Sequence, residues 1–427
     1  MLSGVASIKA QQTRMNVIGN NLANVNTTAY KGTRVSFTDM MAQTVRGATR
    51  PTDSRGGLNP IQYGLGVLTS GTDANMEQGS LNATNRQTDF AIQGNGFFAV
   101  SNGERIAYTR DGTFDLDATG FLVHRSTGER LLGWSANPVD GTIDTNAPVG
   151  EASALQIPIG QRTAVQQTTE VTWAGNLDSR EFTTAGTATT SSLVRVYDPL
   201  GGSHDVTVTL TEGATPNTWN WSVSGTTLTA TGSGTLTTGS GTLTFDPTDG
   251  TIVSGGTGSA TFTPPPASGV PAFDVDMDFS AFSQLATDMQ IQAANQNGYG
   301  PGSLQNYSVG ADGVITGIYT NGLTRSLGQI AMAIFSNPGG LERQGSNLYR
   351  NTDNSGVPVI GAPRSGGRGQ VNAGFLGQVN AGFLEQSNVD IGTEFTDLIV
   401  TQRGFQANTR VVTTVDEMLQ DLINMKR

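Results

Sequence analysis

Two apolar stripes of helical period, one at each extreme of the chain, constrain the fold more than any other feature. Ile8, Met15 and Leu22 recur every seven residues, Ile18 and Val25 repeat the spacing, and Val5 lies close to the stripe. The pattern dissolves at Asn24-Val25-Asn26-Thr27-Thr28, where Asn and Thr side chains compete with helical hydrogen bonds. At the other end Ile391, Leu398, Phe405, Val412 and Leu419 share one heptad position, with Phe395, Val415 and Leu422 beside them. Asn388 or Asp390 is placed to cap this second helix, which would run roughly 50 Å at about 1.5 Å per residue. Stripes of this kind also suit ordinary core helices. Here, however, each borders a Gly-rich region with no other helical pattern to pack on. Such helices are marginal alone and need each other or a neighbouring subunit. The expectation is therefore self-association, with both helices disordered in an isolated monomer.

Between the ends the period changes to two. Phe90-Ala91-Ile92 and Phe97-Phe98-Ala99-Val100 flank the Gly-rich turn Gln93-Gly94-Asn95-Gly96, and Asp117-Ala118-Thr119-Gly120 is a hairpin signature within Phe114 to Val123. From about Val171 to Pro266 the chain is rich in Thr, Ser and Gly and alternates. Val206, Val208 and Leu210 share a face, as do Leu243 and Phe245. This predicts an antiparallel sandwich or barrel with a polar exterior. Pro264-Pro265-Pro266 reads as an exit linker, after which strands resume at Gly313-Val314-Ile315 and at 330–335. The expected fold is mainly β with terminal α-helices in a nested multi-domain plan. Residues 1–30 and 388–427 form a helical unit, 31–75 a connector, 76–160 with 290–387 an inner β domain, and 161–289 an inserted outer β domain. Gly369 to Leu376 is repeated without change from Gly377 to Leu384, one duplication and so not a solenoid; it reads as a lengthened connector.

Composition removes several function classes. The formal charge of −11 argues against a nucleic-acid-coating protein, and zero Cys removes disulfides, thiolate metal sites and Cys nucleophiles. No apolar run approaches the roughly 20 residues of a membrane span, and the first residues lack a basic segment followed by a continuous apolar one. Chemistry is equally scarce. His124 and His204 are the only histidines, Lys9, Lys31 and Lys426 the only lysines, and there is no G-x-S-x-G elbow or Walker A loop. Asp274, Asp276 and Asp278 alternate and would share one strand face, where they are either solvated or hold a cation. Trp173, Trp219 and Trp221 suit a sandwich core better than a carbohydrate platform. The sequence offers no catalytic, cofactor-binding or metal-binding residues.

The segment from Gly19 to Lys31, Gly-Asn-Asn-Leu-Ala-Asn-Val-Asn-Thr-Thr-Ala-Tyr-Lys, resembles the signature of the bacterial flagellar rod and hook protein family. Leu384-Glu385-Gln386-Ser387-Asn388-Val389-Asp390 is similar to the family's second signature, and a helix holding Gln402-Arg403-Gly404-Phe405-Gln406-Ala407-Asn408 follows it. Ala174 to Asp178 and Val196 to Asp205 resemble the outer domain of hook proteins, and Tyr319 to Gly322, Phe335 to Leu341 and Gly345 to Asn347 their inner β domain. The resemblance implies a subunit that self-polymerises into a curved tube, the flexible universal joint carrying motor torque from rod to filament. Paired terminal helices would line its channel. It also implies partners: further copies of itself, the rod, the hook cap, the hook-length control and hook–filament junction proteins, and the flagellar type III export apparatus. Nucleic acid and membrane insertion have no place in that scheme. The implied location is the extracellular hook and basal body, reached without a cleaved signal peptide. Ile8, Met15, Leu22, Ile391, Leu398, Phe405, Val412 and Leu419 are the expected packing residues. Asn20, Asn21, Asn24, Asn26, Thr27, Tyr30 and Lys31 are expected to shape the turn and its intersubunit contacts, or else simply to cap within one subunit. A straight distal-rod subunit, a secreted β-rich adhesin and a hydrolase are the competing readings.

Overall fold

The computed structural model describes residues 2–51, 55–138, 141–158, 163–180, 188–226, 239–263, 269–364 and 376–425. Two α-helices, α1 (Leu2–Ala23) and α2 (Ile391–Asn424), lie at its ends, and the rest of the described residues are strand and turn with a short 3-10 helix at Pro338–Gly340. The helices pack on each other in opposite directions. A Cβ on Gly4 would come within 3.3 Å of Val412, Asn408 Nδ2 donates to Ser7 Oγ at 2.5 Å, and Gly404 adjoins Gln11. Nearer the other end Arg14 pairs with Asp397 at 3.1 Å, and Asn21 donates to Glu394 at 2.9 Å. Of the two partners expected for such helices, each other or a neighbouring subunit, the chain itself supplies the first. Of the two candidate caps, Asp390 accepts from the Thr393 amide at 2.8 Å, whereas Asn388 is turned to a different task described below.

Residues 33–74 are more than a connector. Thr33–Asp39 pairs antiparallel with Val67–Ala74, and Ala42–Arg46 with Ile61–Gly64; a bridge joins Thr49 to Leu58. Together they make a long two-stranded hairpin whose base lies against α1, where a Cβ on Gly66 would sit 3.1 Å from that of Ala6. Most of its side chains are exposed, so the alternation of burial that announces a strand is weak here.

The inner β region holds a nine-stranded and a five-stranded sheet over a core that includes Phe98, Val100, Phe114, Leu131, Ile315 and Met332. The Asp117–Gly120 turn does close a hairpin between Phe114–Leu116 and Leu122–His124, with Asp117 Oδ1 accepting from the Thr119 and Phe121 amides. The Gln93–Gly96 turn does not fold back on itself. Phe90–Gln93 pairs with Gln378–Ala381, while Phe97–Ser101 joins Ile106–Thr109, so this turn carries the chain from one ladder to another. The second copy of the duplicated segment is therefore structural: it supplies Gln378–Ala381 and most of Phe383–Glu385, the latter paired with Leu81–Ala83. The first copy, apart from Leu376, lies outside the described residues, as does Pro264-Pro265-Pro266.

In the outer region, a five-stranded sheet from Thr189–Tyr197 to Ile252–Ser254 faces a four-stranded one made by Thr257–Phe262, Phe273–Leu285, Glu170–Asp178 and Gln290–Gln296. One apolar core lies between them, with Trp173 and Trp219 fully buried and Trp221 nearly so. Glu170–Asp178 runs parallel to Phe273–Leu285, so the first strand of the insertion is clasped by its last long one. Strand pairing puts the crossings between inner and outer regions later than 161 and 289. Thr163–Gln166 pairs with Tyr299–Val309 in the inner sheet, and Gln290–Gln296 with Glu170–Asp178 in the outer. Composition could not locate these crossings because Thr163–Gln166 is only four residues long and Gln290–Gln296 is polar and Gln-rich. Asp274 accepts from Thr261 Oγ1 at 2.6 Å and Asp276 is exposed; among the described residues no three His, Cys, Asp or Glu side chains gather as a metal site.

Candidate assembly surface and the junction that aims it

The Asn-rich segment after α1 is a knot of side-chain hydrogen bonds that ends one element and begins the next. Asn24 Nδ2 donates to the Asn20 carbonyl at 2.9 Å, and Thr27 Oγ1 donates to Asn24 Oδ1 at 3.1 Å, closing the helix. Asn20 Nδ2 donates to the Tyr30 hydroxyl at 3.1 Å, and that hydroxyl donates to Asn21 Oδ1. Asn21, nearly buried, bonds Thr33 in both directions: its amide nitrogen donates to the Thr33 carbonyl, and its oxygen accepts from the Thr33 amide. One Asn thus mimics a strand neighbour for the first residue of the hairpin while holding Glu394 of α2. A side chain with one acceptor and two donor hydrogens is what this double role needs. Ala29 supports the turn with φ of 55°, a left-handed conformation uncommon outside Gly, and its amide donates to the Glu385 carbonyl. Asn26 is exposed.

Lys31 is the centre of the junction. It is 1% exposed, its Nζ 2.5 Å from Glu385 Oε1 and 2.7 Å from the Glu77 carbonyl. Glu385 is fully buried, accepts from the Gly79 amide at 2.9 Å and lies 3.5 Å from Arg110 Nη1. Arg110 in turn donates to the Gly94 carbonyl and lies over the Phe97 ring, with 5.4 Å from guanidinium carbon to centroid. Burial lowers the Lys31 pKa from its ordinary value, against the opposing pull of Glu385, and lowers that of Arg110 likewise. Two cations share one carboxylate, so the cluster holds only while every partner stays in place. Gly79 fits here because a Cβ would come within 2.1 Å of the Gln386 carbonyl oxygen.

A second ring of contacts ties the same segment down. Asn388 accepts from the Gly32 amide and donates to the carbonyls of Asn75 and Glu77. Arg343 donates to the Lys31 carbonyl and lies near the Tyr30 and Tyr349 rings, and Asn347 donates to the Thr28 carbonyl. The two helix-bearing ends and the inner β region are thereby joined at one place. Asp390, with its carboxyl held below the usual range mainly by the Thr393 amide, starts α2 immediately beyond. Burial raises the Glu394 carboxyl, with the Asn21 amide partly opposing it.

The helix stripes face different surroundings along their length. Ile8, Met15 and Leu22 are half-buried, as are Leu398, Phe405 and Val412; Ile18 is almost wholly buried. Ile391 and Leu419, at the ends of the α2 stripe, are exposed, as are Phe395, Ile399, Val400, Val411 and Leu422. A stripe several residues wide cannot be covered by a single partner helix. Sequence reasoning missed Arg110 entirely, since one Arg in a β hairpin region carries no signal. Glu385 stood inside the second signature, but its burial depends on partners far away in the chain.

Comparison with known proteins accounts for nearly the whole length. Residues 1–31 match the family described as flagella basal body rod protein, and 380–425 the flagellar basal body rod FlgEFG protein C-terminal family. The flagellar hook protein FlgE/F/G D1 domain matches residues 91–173, and the flagellar basal body protein FlaE D2 domain 167–299. The ends and residues 91–173 thus match models shared by rod and hook proteins. The chain is 37% identical to the flagellar hook protein FlgE of Borreliella burgdorferi, over 100% of this chain and 99% of that protein. It is 38% identical to that of Treponema pallidum with the same coverage, and 27% identical to the basal-body rod protein FlgG of Bacillus subtilis over 100% and 98%. The chain belongs to the flagellar hook protein family and is a structural subunit of the hook.

Proposed function

We propose that this subunit polymerises through its terminal helix pair and that the Lys31–Glu385–Arg110 junction fixes the pair's direction relative to the β domains. The observation that carries this is the exposed apolar stripe of α2, from Ile391 and Phe395 to Leu422, continuing beyond α1. Helices that leave such a stripe open are completed by neighbouring copies. A contact between two different surfaces that does not close on itself propagates a filament. Leu398, Phe405 and Val412 hold α2 on α1, while Ile391 and Leu419 face neighbours. Asn20, Asn21, Asn24, Thr27, Tyr30 and Lys31 act within the subunit, bracing the turn that sets where those neighbours meet it; Asn26, exposed, is free to touch one.

The polymer serves as a universal joint. The inner domain, near 76–166 with 299–387, and the outer, near 167–298, form its outer layers, and the 31–75 hairpin stands between them and the helices. A Thr- and Ser-rich outer surface favours sliding between copies over a fixed apolar interface. The subunit carries no catalysis. It leaves the cell unfolded through the flagellar type III apparatus without a cleaved signal peptide, and meets the rod, hook cap, length-control and junction proteins during assembly. The test is deletion of the gene in its host with electron microscopy of isolated basal bodies. Complete rods without hooks are expected. Truncated rods would move the subunit into the rod, and normal hooks would overturn the reading.

A further inference from the structure

Beside α1, on the side of the hairpin base, lies a groove of 520 Å³ lined by Val5, Ala6 and Ala10 of the helix and by Met40, Leu65 and Leu68 of the hairpin. Its walls are apolar and open to solvent, Leu68 being 58% exposed. Lys9 is the charged residue on its rim. The groove follows α1 from Val5 to Thr13, about 12 Å at the helical rise.

The occupant is indicated by the end of α2. Past Val412, which meets Gly4, the helix continues to Asn424 with Met425 as its cap, about 20 Å further. Met418, Leu419, Leu422, Ile423 and Met425 are all exposed there, Leu422 and Ile423 at 66%. Asp416, Glu417 and Asp421 punctuate the same stretch, the complement of Lys9; the basic pair that follows, Lys426 and Arg427, lies outside the described residues. Because the helices run in opposite directions, this end leads away from its own α1 and from the groove beside it. A continuous helix cannot turn back to fill it.

We propose that the α1–hairpin groove receives the Met418–Met425 end of α2 from another copy of this chain, with Lys9 facing its acidic residues. This rests on the self-assembly reading and specifies which two surfaces meet. One contact of this kind pairs two different patches, so it repeats from copy to copy.

The chain has no Cys, so introduced thiols report cleanly. Full-length protein carrying both Leu68→Cys and Leu422→Cys, assembled and treated with a short bis-maleimide, is expected to give a ladder of covalent multimers on denaturing gels. Leu68→Cys alone should remain monomeric. Filaments that form as in the unmodified chain yet yield no ladder would overturn the inference while leaving self-assembly standing. So would a groove thiol that links instead to a different protein in isolated hook–basal bodies. Failure of the unmodified chain to polymerise at all, with normal hooks in the deletion strain, would sink the functional reading itself. Lys9→Glu is expected to raise the concentration needed for assembly about tenfold, and Asp416→Lys with Asp421→Lys to restore it; no change with Lys9→Glu would also count against the pairing.

Discussion

In the outer sandwich Trp173, Trp219 and Phe279 are fully buried, and the alternate positions at its surface are Asn220, Ser222, Ser259 and Thr261. In the helix pair apolar side chains are divided between the seam, where Ile18 is buried, and the open surface. Polar contacts such as Asn408–Ser7, Arg14–Asp397 and Asn21–Glu394 run between the helices, while Phe395, Ile399 and Leu422 stand in solvent. The sandwich closes one core of its own, with Leu193 and Val253 left exposed on its surface. The helix pair spends polar groups on fixing its internal register and leaves apolar area over for others. A region that must fold alone and a region that must fold with copies of itself can thus be told apart by where their apolar side chains end up.

The sharpest way to break this contrast is at the junction between the two. Glu385→Ala should cost about 3–5 kcal/mol, because Lys31 and Arg110 would remain buried without a counter-charge. Urea unfolding should show the loss in the base of the molecule and leave the outer sandwich transition unmoved; a shared shift would mean that the two regions unfold as one. Trp173→Ala is expected to remove about 3 kcal/mol from the sandwich alone, with polymerisation retained under conditions where that region stays folded. Loss of assembly there would refute the claimed independence.

Smaller changes sharpen the other side. Phe405→Ala or Val412→Ala should weaken helix packing by about 1–2 kcal/mol, or roughly 5–30-fold in the concentration needed to assemble. β-domain unfolding should stay as it was, and unchanged assembly would show that the packing of α2 on α1 does not limit polymerisation. The smallest effect concerns Asp390. Its pKa in the folded chain is depressed, so its support for α2 is fully present above the ordinary carboxylate range and fades as pH falls through the depressed value. Amide protection factors in the first turn of α2, taken relative to the intrinsic exchange rate at each pH, should therefore fall in acid in the parent chain, and Asp390→Ala should abolish that fall.

The terminal helices were legible because their heptads repeat locally, and so were Trp173, Val206 and Val208 as core, because strand alternation is local too. In sequence the hairpin of 33–74 reads only as a connector, because its side chains are mostly exposed on both faces and so carry little alternation. The crossings near 167 and 298 were missed because Thr163–Gln166 and Gln290–Gln296 are short, polar strands whose sheet is chosen by partners more than a hundred residues away. Lys31 stood out through its motif, but its counter-ion could not be found by any spacing rule, since Glu385 lies 354 residues on.

That separation sets a clock. At a synthesis rate of about 5–20 residues per second, Lys31 precedes Glu385 by roughly 20–70 s. In that interval a lysine built for a dry, anionic niche has none, and the segment around it gains nothing by settling early. The same order applies to any passage in which one end emerges before the other. The two ends of the chain act as halves of a token, and the base of the subunit can close only when both have been presented.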